Sequence, residues 1–180
     1  MARIYAARGE TAAAERALAR GTAAIEQTSD PQARLPTLLE TAFAYQLLGR
    51  DEEAVSFARR AADPLIIGGA AAMRAEAAVA IVRAGVADQF VALADALPPS
   101  RRWQTALLLL KGRTVEAADT YARMSPNDEA FVRLLAAEQL ADAGQAAEAQ
   151  SQLERALAFF RAVGATKIVR DAEGLLSAAS

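Results

Sequence analysis

Apolar positions along this chain recur at the three-to-four-residue spacing of an α-helix, and no stretch alternates apolar with polar for long enough to make a strand. That spacing predicts helices over 2–8, 11–27, 32–48, 51–62, 66–84, 86–97, 100–111, 114–124, 128–143, 146–162 and 166–178. The punctuation between them agrees. Ser29-Asp30-Pro31 offers a capping side chain followed by a proline whose fixed φ suits a first helical turn. Pro98-Pro99-Ser100 ends one helix and caps the next. Ser125-Pro126 does the same, with Asp128 and Glu129 placed to favour the positive end of a helix dipole. The fold class is all-α.

A repeat lies within the pattern. Aligned on Gly9, Gly49, Gly85, Gly112 and Gly144, the chain carries a bulky residue four positions earlier each time: Tyr5, Tyr45, Ile81, Leu108 and Leu140. Seven positions earlier stand the small residues Ala2, Ala42, Ala78, Thr105 and Ala137. Five positions later stand Ala14, Ala54, Phe90, Ala117 and Ala149, where Phe90 breaks the rule. Twelve positions later, Gly21, Ala61, Leu97, Met124 and Ala156 form a looser match. A helical hairpin explains this spacing. Glycine accepts the positive φ that ends the first helix, and small residues about two turns to either side let the two antiparallel helices cross at close range.

The expected architecture is therefore one domain over residues 1–180, an array of helix pairs. Near its end Ile168, Ala172, Leu175 and Leu176 share one helical face, while Lys167, Arg170, Asp171 and Glu173 lie elsewhere. One apolar stripe over the open end of a stack is what a C-terminal capping helix requires. Only eight residues precede Gly9, short for the first helix of a pair, so the chain is expected to be the C-terminal part of a longer one.

Composition narrows the function classes. Apolar residues make up 53% of the chain, the formal charge is −2, and both signs are scattered. Nucleic-acid binding needs a clustered basic face, which Arg59-Arg60 and Arg101-Arg102 do not build, so no nucleic-acid partner is expected. Cysteine and histidine are both absent, which rules out disulfides and Ser-His or Cys-His catalysis within the chain and removes the usual ligands of zinc and haem. No cofactor or metal is expected. No apolar run reaches the roughly 18 residues of a membrane span, and the opening MARIYAARGE lacks the apolar core of a signal peptide. A cytoplasmic protein with no membrane partner is expected.

The aligned positions resemble the tetratricopeptide repeat, whose pattern runs small, aromatic, glycine turn, alanine, then alanine or proline. The stretch LLETAFAYQLLGRDEEAVSFARRAADP carries it best, with Ala42, Tyr45, Gly49, Ala54, Ala61 and Pro64. The spacing between glycines falls on both sides of that family's period of about 34 residues, as in a degenerate array. The last third, and ALAFFRAVGAT within it, also resembles the C-terminal ends of large actinobacterial signalling proteins. There, a class III adenylate/guanylate cyclase domain or a DNA-binding domain precedes a regulatory ATPase module and a helical repeat tail. Lys167-Ile168 stand where those proteins carry an aromatic-Arg pair. Neither the cyclase's metal-binding aspartates nor an ATP-binding glycine loop occurs here, so the resemblance carries over no catalytic residue and implies no enzyme.

Candidate chemistry is sparse. Gly68-Gly69 has no Lys-Ser or Lys-Thr behind it and is not a phosphate cradle. The acidic groups Asp51-Glu52-Glu53 and Asp128-Glu129 sit at helix starts, where dipole stabilisation accounts for them. Trp103 is the single tryptophan, suited to burial or to a partner contact. The resemblance implies a concave face lined by Leu39, Phe43, Gln46, Val79, Val82, Arg102, Leu109 and Leu110. That lining is mostly apolar and includes neither Lys111 nor Lys167. The expected ligand is thus an apolar helix of a partner protein or an upstream domain of the same chain, and not an acidic peptide tail. The expected role is a non-catalytic interaction and regulatory module. The alternative is a structural tail pairing two chains into a homodimer through Leu39 and Phe43. An enzyme built on scattered carboxylates is a third, weaker reading.

Overall fold

Six glycines, Gly9, Gly49, Gly85, Gly112, Gly144 and Gly164, take the left-handed conformation, with φ from 67° to 77°. They punctuate the chain in a computed structural model that describes residues 1–63, 73–94, 97 and 99–178, the last four of these by their backbone. Eleven helices lie among the described residues: α1 (Ala2–Ala7), α2 (Thr11–Gln27), α3 (Pro31–Leu47), α4 (Asp51–Ala61), α5 (Ala75–Arg83), α6 (Ala87–Val91), α7 (Arg101–Leu110), α8 (Thr114–Tyr121), α9 (Pro126–Asp142), α10 (Ala146–Ala162) and α11 (Thr166–Ala178). The protein is all-α, built of packed helix pairs.

Each glycine closes its helix in the same way. The Gly49 N–H donates to the Gln46 carbonyl at 3.0 Å, and the Arg50 N–H donates to the Tyr45 carbonyl at 2.9 Å. The same two bonds recur at the other five turns and satisfy carbonyls that a helix end leaves free. The bulky residue four before each aligned glycine is thus the one whose carbonyl takes the second bond. At Tyr45 its ring also lies 4.9 Å from the Arg50 guanidinium carbon. A Cβ at Gly49 would meet nothing within 4 Å, so conformation and not crowding calls for glycine there.

Helix starts are capped where the sequence marks them. Asp30 accepts from the Gln32 N–H at 2.9 Å, Ser100 from Trp103 at 3.0 Å and Ser125 from Asp128 at 3.3 Å. Three boundaries differ from expectation. Of the helix over 66–84, the described part begins at Ala75, and 66–72 lie outside the described residues. The helix over 86–97 stops at Val91 and gives way to turns over 92–94, while 95, 96 and 98 lie outside the described residues. The helix over 114–124 ends at Tyr121, where the Met124 and Ser125 N–H groups both turn back onto the Tyr121 carbonyl.

The crossing positions are buried as the hairpin geometry requires. Ala14, Ala42, Ala54, Thr105, Ala117, Ala137 and Ala149 are all inside, on the pairs α1–α2, α3–α4, α7–α8 and α9–α10 that pack together, and Ala78 of α5 is buried as well. The third pair is the exception. Phe90, filling the place of an alanine, is fully buried, and α6 packs chiefly on α7.

The first helices α1, α3, α5 and α7 lie side by side. Between α5, α8 and α10 lies α9, buried throughout from Phe131 to Ala137. The Phe131 ring meets Phe43 of α3 at 5.1 Å and Phe160 of α10 at 4.9 Å, and the Arg3 guanidinium of α1 stands 5.7 Å from it. Two buried charges tie this arrangement together. Glu76 of α5 takes hydrogen bonds from Arg3 of α1 at 2.5 Å and Asn127 of α9 at 2.7 Å, with Arg74 at 3.2 Å. Arg133 of α9, fully enclosed, bonds Glu129 at 2.6 Å, Asp119 of α8 at 2.8 Å and Gln152 of α10 at 2.5 Å. Buried charge is costly unless partnered, so these groups hold their helices to particular neighbours.

The last helix does more than cover one end. α11 packs on α10 and also reaches α1, where the Thr166 hydroxyl donates to the Arg8 carbonyl at 3.0 Å. Ile168 and Ala172 are buried; the side chains of Leu175 and Leu176 lie outside the described residues. No helix among the described residues is long and apolar enough to cross a membrane.

Two predictions test this packing. Ala149→Leu should lower stability by about 1–3 kcal/mol through overpacking, while Ala158→Leu, on an exposed face, should stay within about 0.5 kcal/mol of the parent in urea titrations. Equal effects would place the crossing elsewhere. The second concerns Tyr121, whose hydroxyl is pushed far above the phenol range, first by burial and then by the nearby Asp128 charge. The folded state holds the proton that the unfolded chain releases near pH 10.0. Stability should therefore hold below that pH and fall above it by up to about 1.4 kcal/mol per unit. Tyr121→Phe should flatten that alkaline slope, and an unchanged slope would refute the assignment.

Candidate functional site

The eight residues expected to line an open concave face separate into two groups. Leu39, Phe43, Val79, Leu109 and Leu110 are buried in the core, with Phe43 directly beneath the ring of Phe131. They are therefore corrected from groove to core: as enclosed side chains they line no open face, and Phe43 is met by Phe131 of α9 in the same chain. The same burial withdraws Leu39 and Phe43 from pairing with a second chain. Val82 is half-buried and packs on the core, while Arg102 is bound to the buried carboxylate of Asp128 at 2.9 Å. Trp103 is buried, as its indole alone would require. Asp51, Glu52 and Glu53 occupy the first turn of α4 as expected. Gly68 and Gly69 lie outside the described residues.

Gln46 is different: it borders an open cleft of about 330 Å³ between the end of α3, the start of α4, the end of α5, the middle of α9 and α11. The floor is apolar, with Leu47, Val55, Leu134 and Ile168. Gln46 projects from the last turn of α3, and its amide nitrogen donates to the Ala80 carbonyl of α5 at 3.0 Å. That bond orients the group and leaves its Oε1 buried with no partner among the described residues. A buried carbonyl oxygen without a donor is unfavourable, and a ligand N–H would relieve it.

The rim carries both signs of charge. Arg83, in the last turn of α5 where the dipole favours a cation, donates from one guanidinium nitrogen to both carboxylate oxygens of Glu138 of α9, at 2.6 and 2.8 Å. Both side chains are about three-quarters buried. On α11, Lys167 pairs with Asp171 one turn along. Asp51 of α4 faces the same space. Charges locked in opposite pairs around an apolar floor can orient a polar, extended ligand. A general acid or base would need a group set apart from such partners. Among the described residues no group of three or more acidic side chains is placed to hold a metal ion.

Of this cleft, the sequence pointed to Gln46 alone. Arg83, Glu138, Lys167 and Asp171 were missed: Arg83 and Glu138 pair across helices far apart in the chain, and Lys167 with Asp171 reaches the cleft only because α11 packs beside it. One signal was readable: Phe131, Val132, Leu134, Leu135, Ala136 and Ala137 do not fall on one stripe, which marks a helix enclosed all round. No protein-family model, no curated protein and no solved structure matches this chain.

The rim pair sets a measurable expectation. Glu138→Ala leaves the largely enclosed Arg83 without its partner and should lower stability by about 1–2 kcal/mol, between the values for exposed and buried pairs. Replacing both, Arg83→Met with Glu138→Leu, should recover most of that loss in urea titrations. A double variant as weak as the single one would mean the pair is not coupled.

Proposed function

We propose that this chain is a non-catalytic helical-hairpin interaction module, a degenerate tetratricopeptide-like array, that binds an extended segment of a partner protein or of an adjoining domain. The segment lies in the cleft between α3, α5, α9 and α11. Its backbone N–H meets the Gln46 oxygen, its apolar side chains enter against Leu134 and Val55, and its polar groups meet the Arg83–Glu138 and Lys167–Asp171 pairs. The observation that carries this reading is the Gln46 amide, fixed on one side by Ala80 and left with an unpartnered acceptor on the other. The repeated glycine turn and buried crossing alanines support the tetratricopeptide-like part of the reading. The resemblance of ALAFFRAVGAT places the module, in this reading, at the C-terminal end of a cytoplasmic bacterial signalling protein, where it relays binding to output domains.

A displayed library of random peptides, selected on the purified chain, tests the proposal. Selected peptides should lose about tenfold in affinity when Gln46→Leu removes the acceptor, the worth of one hydrogen bond to an enclosed group. They should be indifferent to Arg123→Ala, an exposed position remote from the cleft. Peptides unaffected by Gln46→Leu, or a selection yielding none tighter than about 100 µM, would overturn it.

A further inference from the structure

On the other side of α11 from that cleft lies a second recess, bordered by α1, α9, the end of α10 and the start of α11. Its volume is about 250 Å³. A dry cavity of about 150 Å³ lined by Leu, Ile and Phe holds one benzene, so this one has room for a fused pair of rings. Its floor is aromatic. Phe131, Phe159 and Phe160 line it, with Phe160 meeting the other two edge to face at 4.9 and 5.7 Å. Its lips are apolar and open to water. Ile4 and Val163 are 40% and 47% exposed, two of the four large apolar side chains left exposed among the described residues.

The polar lining has one sign. It consists of Arg3, Arg8 and Asn127, with no carboxylate among the residues that border the recess. Arg3 and Asn127 are already bound to Glu76. The Arg8 guanidinium makes no ion pair or hydrogen bond among the described residues, while its backbone is held in place by Thr166. An apolar slot with an unengaged guanidinium at its mouth complements an apolar body that ends in an anion. A cation would meet two arginines there, and a neutral hydrocarbon would leave Arg8 unused.

We propose that this recess is a binding site for a small aromatic carboxylate, its rings on Phe131, Phe159 and Phe160 and its carboxylate paired with Arg8. The site is separate from the peptide cleft and does not depend on that reading.

Calorimetric titration of the whole chain with 2-naphthoate tests it, with naphthalene-2-methanol as the neutral counterpart. The carboxylate should bind with a dissociation constant below about 1 mM, and the neutral counterpart about tenfold more weakly, the factor expected for one charge-assisted bond at a partly open site. Arg8→Ala should weaken 2-naphthoate by a similar factor, and Val163→Glu, which sets a negative charge at the lip, should abolish binding. Arg123→Ala, which removes a distant exposed cation, should change nothing. The proposal is overturned by an absence of binding at about 5 mM, by equal affinity for the neutral counterpart, or by equal losses in Arg8→Ala and Arg123→Ala.

Discussion

The enclosure of α9 governs the rest of this molecule. Between Phe131 and Ala137 this helix has no solvent face on which to leave a charge, so the charge it carries there must find partners within the protein. Arg133 finds three, from α8, α10 and its own helix, and Asn127 joins Arg3 at Glu76. These bonds decide which helices stand next to α9. In doing so they decide that α1, α3 and α5 present their inner faces to protein and not to solvent. Breaking either knot would strand a buried charge, which costs far more than the intact pair contributes. Both therefore act as selectors of one arrangement more than as sources of stability.

Alanine makes the enclosure feasible. α9 can be surrounded only if the hairpins around it are thin, and a small residue at a crossing lets paired helices approach toward the short end of the usual separation of about 8–10 Å. The third pair shows the converse. With Phe90 at the crossing, α6 turns its weight onto α7, and the helix is the shortest of the eleven described. The left-handed glycines contribute in another way, by ending each helix so abruptly that the next begins two residues later. Such short connections leave the chain little freedom except to fold back antiparallel.

Local features of this fold were readable and non-local ones were not. The helices, the five aligned glycine turns and the crossing alanines follow from spacing alone, because each depends on residues within about two turns of one another. Gly164 belongs to the same series, with Phe160 four before it, yet it stood outside the alignment because no complete hairpin follows it. The eight groove positions were transferred from an open array, and openness is a property of how distant helices pack. Phe43 against Phe131 and Arg83 against Glu138 are contacts between elements that only the folded chain brings together. The unstriped apolar run of α9 held the missing information, but as a statement about burial and not about which neighbours would supply it.

What remains open at the surface is set by α11. This helix buries only Ile168 and Ala172 among its described side chains, and its Arg161–Glu173 and Lys167–Asp171 pairs lie at or near solvent. A cleft lies on either side of it. Ile168 borders both. Two sites that share a side chain are energetically linked whenever occupancy of one moves that chain, and linkage of this kind is reciprocal. The wall that the two clefts have in common is thus one helix, held at its start by Thr166 on the Arg8 carbonyl.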